Sequence, residues 1–159
     1  MRLVTQCVLA ILVCCLAWTA TPAAAVDLGE LDGTWEGTLA VVATPAGAPD
    51  SNPYSLRLVI HGTDANVFAR YGSTAPYQEV KPGKFHIARL GPSGIVAVID
   101  SGHDEDGMWI ETWNFTVTLK QHDAMIVNFS RFVNNVDMPP NADHSKFTET
   151  MTGELARTK

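Results

Sequence analysis

The chain has 159 residues, 17 Asp and Glu against 11 Lys and Arg, and three cysteines, all within the first fifteen positions. A length of this order fits one domain. A net charge of −6 without a basic stripe argues against nucleic acid and anionic membrane surfaces as partners.

Residues 1–25 read as a secretory signal peptide. Arg2 is the charged start, Leu3 to Trp18 the apolar stretch, and Ala23-Ala24-Ala25 the small-residue cleavage site. The apolar run is too short for a membrane span, and no stable membrane anchor is expected. Neither Cys14 nor Cys15 follows the small residue that a lipoprotein signal needs. Cleavage takes one Arg and no acid from the chain, so the net charge moves from −6 to −7. It also removes Cys7, Cys14 and Cys15, which excludes disulfides, thiol catalysis and thiolate zinc sites from the mature domain, 26–159. The destination is the periplasm or the medium.

From residue 31 onward the pattern is short alternating segments punctuated by Gly, Pro, Asn and Asp, which predicts strands. In chain order they are Leu31 to Val42, Ser55 to His61, Asn66 to Tyr71, Lys84 to Leu90, Ile95 to Ser101, Met108 to Leu119, Ala124 to Asn134 and Phe147 to Arg157. In the fourth, Phe85 and Ile87 point inward. The fifth is a continuous apolar run, and the last has a candidate kink at Gly153. Eight strands in sequence predict an all-β, eight-stranded antiparallel up-and-down barrel, which leaves no open sheet edge; a two-sheet sandwich is the alternative. In a meander, alternate connections share an end. The connections 43–54, 72–82, 102–107 and 135–146 are then the mouth, and the tight turns 63–65, 91–94 and 120–123 the base.

Gly33-Thr34-Trp35 at the start of the first strand resembles the Gly-x-Trp signature of the lipocalin and calycin barrels. In that superfamily an Arg near the end of the last strand packs over the signature Trp. Arg157 matches it, so the resemblance implies a structural base plug of Trp35 and Arg157. It covers 27–159 at the level of architecture. No helix follows the last strand, a departure from typical lipocalins that points to a shorter barrel of lipocalin-like, avidin-like or nitrobindin-like kind.

Residues 108–134 carry the candidate site. Odd positions from Trp109 to Leu119 are apolar except Glu111, and odd positions from Met125 to Val133 are apolar except Arg131. Keeping both apolar faces inward sets Leu119 against Met125, Val117 against Val127, Phe115 against Phe129 and Trp113 against Arg131. Glu111 then lies diagonally from Arg131, near the mouth. Burying either charge alone costs several kcal/mol, so the two are expected as a pair. The expected ligand-binding residues are Glu111, Arg131, Trp109, Trp113, Phe115, Phe129 and Phe85, an aromatic cup with a polar anchor for a small apolar or aromatic molecule.

Two other readings stand beside this one. The first is a barrel enzyme of cyclase or isomerase type using Glu111 and His86. The second is a structural or interaction barrel with a filled core, since eight strands enclose little space. No catalytic residue is assigned. The acidic run Asp100, His103, Asp104, Glu105 and Asp106 lacks the spacing of a calcium loop, and Asp137, Asp143 and His144 form no recognisable set. No metal and no cofactor is expected. Gly-x-Ser-x-Gly, phosphate-loop and His-Glu-x-x-His motifs are absent.

Overall fold

The computed structural model describes residues 30–43, 54–70, 72, 74–105, 107–139 and 145–159. The signal segment, most of the first mouth connection, and the candidate residues Asp106, Asp143 and His144 lie outside these.

Among the described residues the fold is all-β. The strands are β1 (Gly33–Ala43), β2 (Tyr54–His61), β3 (Asp64–Arg70), β4 (Gln78–Val80), β5 (His86–Leu90), β6 (Ser93–Asp104), β7 (Gly107–Gln121), β8 (Ala124–Asn135) and β9 (Lys146–Thr158). The pairings run antiparallel around a closed ring. β1 joins β2 and β9, and the β2–β3 ladder completes the circuit through β5, β6, β7 and β8. Closure satisfies the backbone groups that an open sheet would leave at its edges.

Eight staves form the barrel, because β4 and β5 share one position. β4 pairs with Val67–Ala69 of β3, and β5 reaches β3 lower down through the pair Asp64–His86. The β5–β6 ladder ends at His86–Ala97. Above it, ionic contacts from Lys81 and Lys84 to Asp100 join the broken stave to β6. β4 falls inside the expected connection 72–82; three residues are too short for an alternation pattern to register. The connection expected at 102–107 is shorter than predicted, because β6 and β7 continue to Asp104 and Gly107.

Alternation of side chains supplies the core. Leu39, Leu56, Leu58, Ile60, Val67, Val96, Val117, Met125, Val127, Met151 and Leu155 are buried on the inner face. Close approach of β1 and β9 requires glycine. A Cβ on Gly37 would come within 2.3 Å of the Glu154 carbonyl, and one on Gly153 equally close to that of Thr38. β9 stays paired through Gly153, so this glycine permits strand contact without breaking the strand.

The base is closed as a plug. Trp35 and Arg157 are opposite each other on β1 and β9, and the guanidinium carbon lies 4.1 Å from the indole centroid. Trp35 is fully buried, and its Nε1–H donates to the Leu31 carbonyl at 2.9 Å. Arg157 donates to the carbonyls of Glu30, Asp32 and His122, tying the segment before β1 to the β7–β8 turn.

Candidate functional site

The register of β7 and β8 sets the site. Leu119 faces Met125, Val117 faces Val127, Phe115 faces Phe129 and Trp113 faces Arg131. Glu111 is opposite Val133 and so diagonal to Arg131. The turn itself is His122–Asp123 with an irregularity between Leu119 and Gln121, which preserves the inward parity that a three-residue loop would also give.

Following the ladders across the barrel shows a graded interior. The lower rows are aliphatic. Above them come Phe115, Phe129 and Met151, opposite one another in sequence on β7, β8 and β9. The next row is Trp113, Arg131 and Glu149, and the one above it pairs Asp100 with Glu111. Successive inward rows are two residues apart along a strand, so about 7 Å separates them.

Glu111 is 5% exposed and carries two cations. Arg131 donates from Nε and Nη2 to Oε2, at 2.8 and 2.7 Å. Lys81 Nζ pairs with Oε1 on the other side. Lys81 also donates to Asp100 Oδ2 at 2.7 Å, and Lys84 reaches Asp100 Oδ1 at 2.8 Å. Asp100 and Glu111 are cross-strand partners of like charge, an arrangement that is unfavourable unless a cation lies between them. Lys81 is that cation. Its φ of 47° lies in the left-handed region, which is uncommon for a non-glycine residue. The bent backbone at Lys81-Pro82-Gly83 interrupts the stave and turns the Lys81 side chain inward.

Aromatic rings back the cations. Arg131 lies 4.8 Å from the Trp113 ring centroid, and Lys81 lies 5.0 Å from that of Trp109. Below them Phe115 and Phe129 stack at 4.6 Å, with Trp113 tilted against Phe129 at 5.4 Å.

Protonation follows from these contacts. Burial pushes the Glu111 carboxyl up, but Lys81, Trp113 and Arg131 together hold it below the ordinary carboxylate value. The Trp113 indole N–H, buried without an aligned hydrogen-bond partner among the described residues, adds to that pull. Lys81 and Lys84 bring Asp100 down to about 2. Burial alone would lower the Lys81 ammonium; Asp100 and Glu111 raise it instead. Glu149 behaves differently. Burial raises its carboxyl, and Arg131 and a hydrogen bond from Tyr54 only partly oppose that.

A cavity opens among these side chains. Its walls are Leu39, Leu56, Val67, Ala69, Val80 and Met151, its aromatic side Trp113, Phe115 and Phe129, and its polar edge Tyr54, Arg131 and Glu149. The space amounts to about 400 Å³ with its open mouth included. The floor beneath it is tightly packed, with Phe115, Phe129 and Met151 all buried.

The seven expected ligand-binding residues therefore divide. Trp113, Phe115, Phe129 and Arg131 border the cavity. Glu111 sits above it, engaged by Lys81 and Arg131. Phe85 is in the core behind Phe115, ring centroids 5.9 Å apart and edge to face. Trp109 lies on the rim across Gly102, where an added Cβ would be 2.5 Å from the indole ring. Three residues at the site, Glu149, Tyr54 and Lys81, lay outside the sequence reading, and Asp100 entered it only as part of an acidic run. Asp100 and Glu149 follow the inward parity of their strands. Tyr54 starts β2, and Lys81 belongs to a connection without periodicity.

Among the described residues no three His, Cys, Asp or Glu side chains are grouped so as to hold a metal ion. Asp100 is in β6 and committed to two lysines. His86 is on the outer surface beside Asp64, 3.3 Å from its carboxylate.

Comparison of the chain with protein-family models, curated proteins and solved structures finds no match in any of the three.

Proposed function

We propose that this protein is an exported carrier that binds a small apolar or aromatic molecule in the cup of its barrel, on a lipocalin-like or calycin-like plan. The observation that carries this reading is the cavity itself. It sits on a stacked Phe115–Phe129 pair, has an apolar wall from five strands, and ends in a polar edge of Tyr54, Arg131 and Glu149. Ligand sites commonly combine such apolar lining with a few convergent polar groups. The Gly33-x-Trp35 opening and the stacked Arg157 support the plan. The Ala-rich leader supports periplasmic or secreted placement.

Glu111 is a poor general acid, because two cations stabilise its ionised form. Binding thus has better support than an isomerase or cyclase reaction through that residue. The burial of Phe115, Phe129 and Met151 favours one further reading, a structural barrel whose own side chains fill its interior.

The two part in a titration of tryptophan emission with neutral one- and two-ring aromatics such as 1-naphthylmethanol. A carrier gives saturable quenching in the full chain, lost in Ala69→Leu, which fills the cavity wall. A filled structural barrel gives no saturable response to any of them.

A further inference from the structure

Charge in the upper barrel is matched in number but not in placement. Three carboxylates face inward there, Asp100, Glu111 and Glu149. Two largely buried cations accompany them, Lys81 at 15% and Arg131 at 28% side-chain exposure. Lys81 is shared between Asp100 and Glu111, and Arg131 places two N–H groups on Glu111. Lys84, about half exposed, adds its charge to Asp100 from outside. Most of the cationic charge is therefore directed at Asp100 and Glu111, above the cavity, while Glu149 borders the cavity itself.

Glu149 has Arg131 opposite it on β8 and Tyr54 as a hydrogen-bond donor. Beneath it are the apolar walls and the Phe115–Phe129 stack. A carboxylate at the polar edge of an aromatic pocket is complementary to a molecule with a flat ring at one end and a cation at the other. Such a cation gains a charge-assisted hydrogen bond, and the acidic surface of the whole chain attracts it over a longer range.

We propose that the cup selects a small primary aromatic amine, its ring against Phe115 and Phe129 and its ammonium group at the Glu149 carboxylate beside the Tyr54 hydroxyl. This rests on the binding reading above and adds the chemical class of the ligand. Burial holds the Glu149 carboxyl above its ordinary value against the opposing pull of Arg131 and Tyr54. Arg131 directs its Nε and Nη2 N–H groups upward to Glu111.

The test compares three isosteres on the full chain by tryptophan emission: 2-phenylethylamine, 2-phenylethanol and phenylacetate. The amine is expected to bind about tenfold more tightly than the alcohol, the equivalent of one charge-assisted hydrogen bond, and the acid more weakly than either. In Glu149→Gln the preference for amine over alcohol falls to about twofold or less. Tyr54→Phe, which keeps the ring, lowers amine affinity about threefold and serves where Glu149→Gln fails to fold. Equal binding of amine and alcohol overturns the proposal and leaves the aromatic cup standing. Tightest binding by phenylacetate also overturns it and makes Arg131 the anchor. A preference for the amine that survives Glu149→Gln overturns the assignment to Glu149. If none of the three binds, the cup reading fails along with the proposal.

Discussion

The two ends of this barrel carry the same pair of residues to different effect. At the base Arg157 stacks on Trp35, and at the mouth Arg131 stacks on Trp113, each Arg directly opposite its Trp on the neighbouring strand. The difference lies in what receives the guanidinium N–H groups. Arg157 donates to three backbone carbonyls, groups that carry no titratable proton. Arg131 donates to Glu111, has Glu149 as its opposite residue on β9, and shares Glu111 with Lys81. The base pair closes the barrel by binding backbone to backbone. The mouth pair belongs to a chain of side-chain charges with a cavity below it. A stacked Arg–Trp pair therefore has no meaning of its own; the groups around it decide whether it is a fixed plug or part of a responsive site.

Substitutions break this contrast in graded steps. Trp35→Ala is expected to have the largest effect, about 3–5 kcal/mol, since it empties the largest fully buried side chain among the described residues and removes the surface under Arg157. Urea unfolding measures it. Arg157→Met comes next, at about 2–3 kcal/mol, from the lost stacking and the carbonyls left without donors. Because carbonyls do not titrate, that loss stays the same between pH 7 and pH 3.

Arg131→Met is expected to cost about 2 kcal/mol at neutral pH, because Glu111 keeps Lys81 but loses its other cation. Here the cost depends on pH. Glu111 has a lowered pKa in the folded state, so its stabilising contribution is present above the ordinary carboxylate value and is lost as pH falls through the folded value. The Arg131→Met penalty therefore shrinks on acidification while that of Arg157→Met does not. Asp100 follows the same sign, its contribution disappearing between the ordinary value and about 2.

The smallest effect has the opposite direction. Glu149 has a raised pKa, so the folded state favours its neutral form, and stability is lost as pH rises through the folded value. Glu149→Gln is expected to melt slightly higher than the parent at neutral pH and to show no gain in acid. Thermal melts at the two pH values read this directly.

The inward rows of β7 and β8 were legible in the sequence because both strands are long and alternate strictly. That alternation placed Glu111 and Arg131 inside, and the tight turn set their diagonal relation. Asp100 was concealed by its own strand. Ile95, Val96, Ala97, Val98 and Ile99 read as a continuous apolar run, so the inner parity of Val96, Val98 and Asp100 does not separate from the outer one. Glu149 had a readable parity with Phe147, Met151 and Leu155, but the long connection 135–146 leaves its partner on the preceding strand unset, so it carried no mark of a site. Lys81 was beyond reach in principle. Its inward direction comes from a left-handed backbone and a broken stave, both set by tertiary pairing rather than by local pattern. Trp109 and Phe85 share the inward parity of the cup, yet Gly102 receives one ring at the rim and the core receives the other.

The central proposal is that a ring enters the barrel beneath the charged row and rests on Phe115 and Phe129. The most direct measurement is the anomalous signal of iodine in crystals of the protein soaked with 4-iodobenzyl alcohol. Binding in the cup predicts a peak within van der Waals contact, about 4 Å, of both phenylalanine rings and Met151. Iodine found solely on the outer surface, with Phe115, Phe129 and Met151 unmoved, would contradict the account.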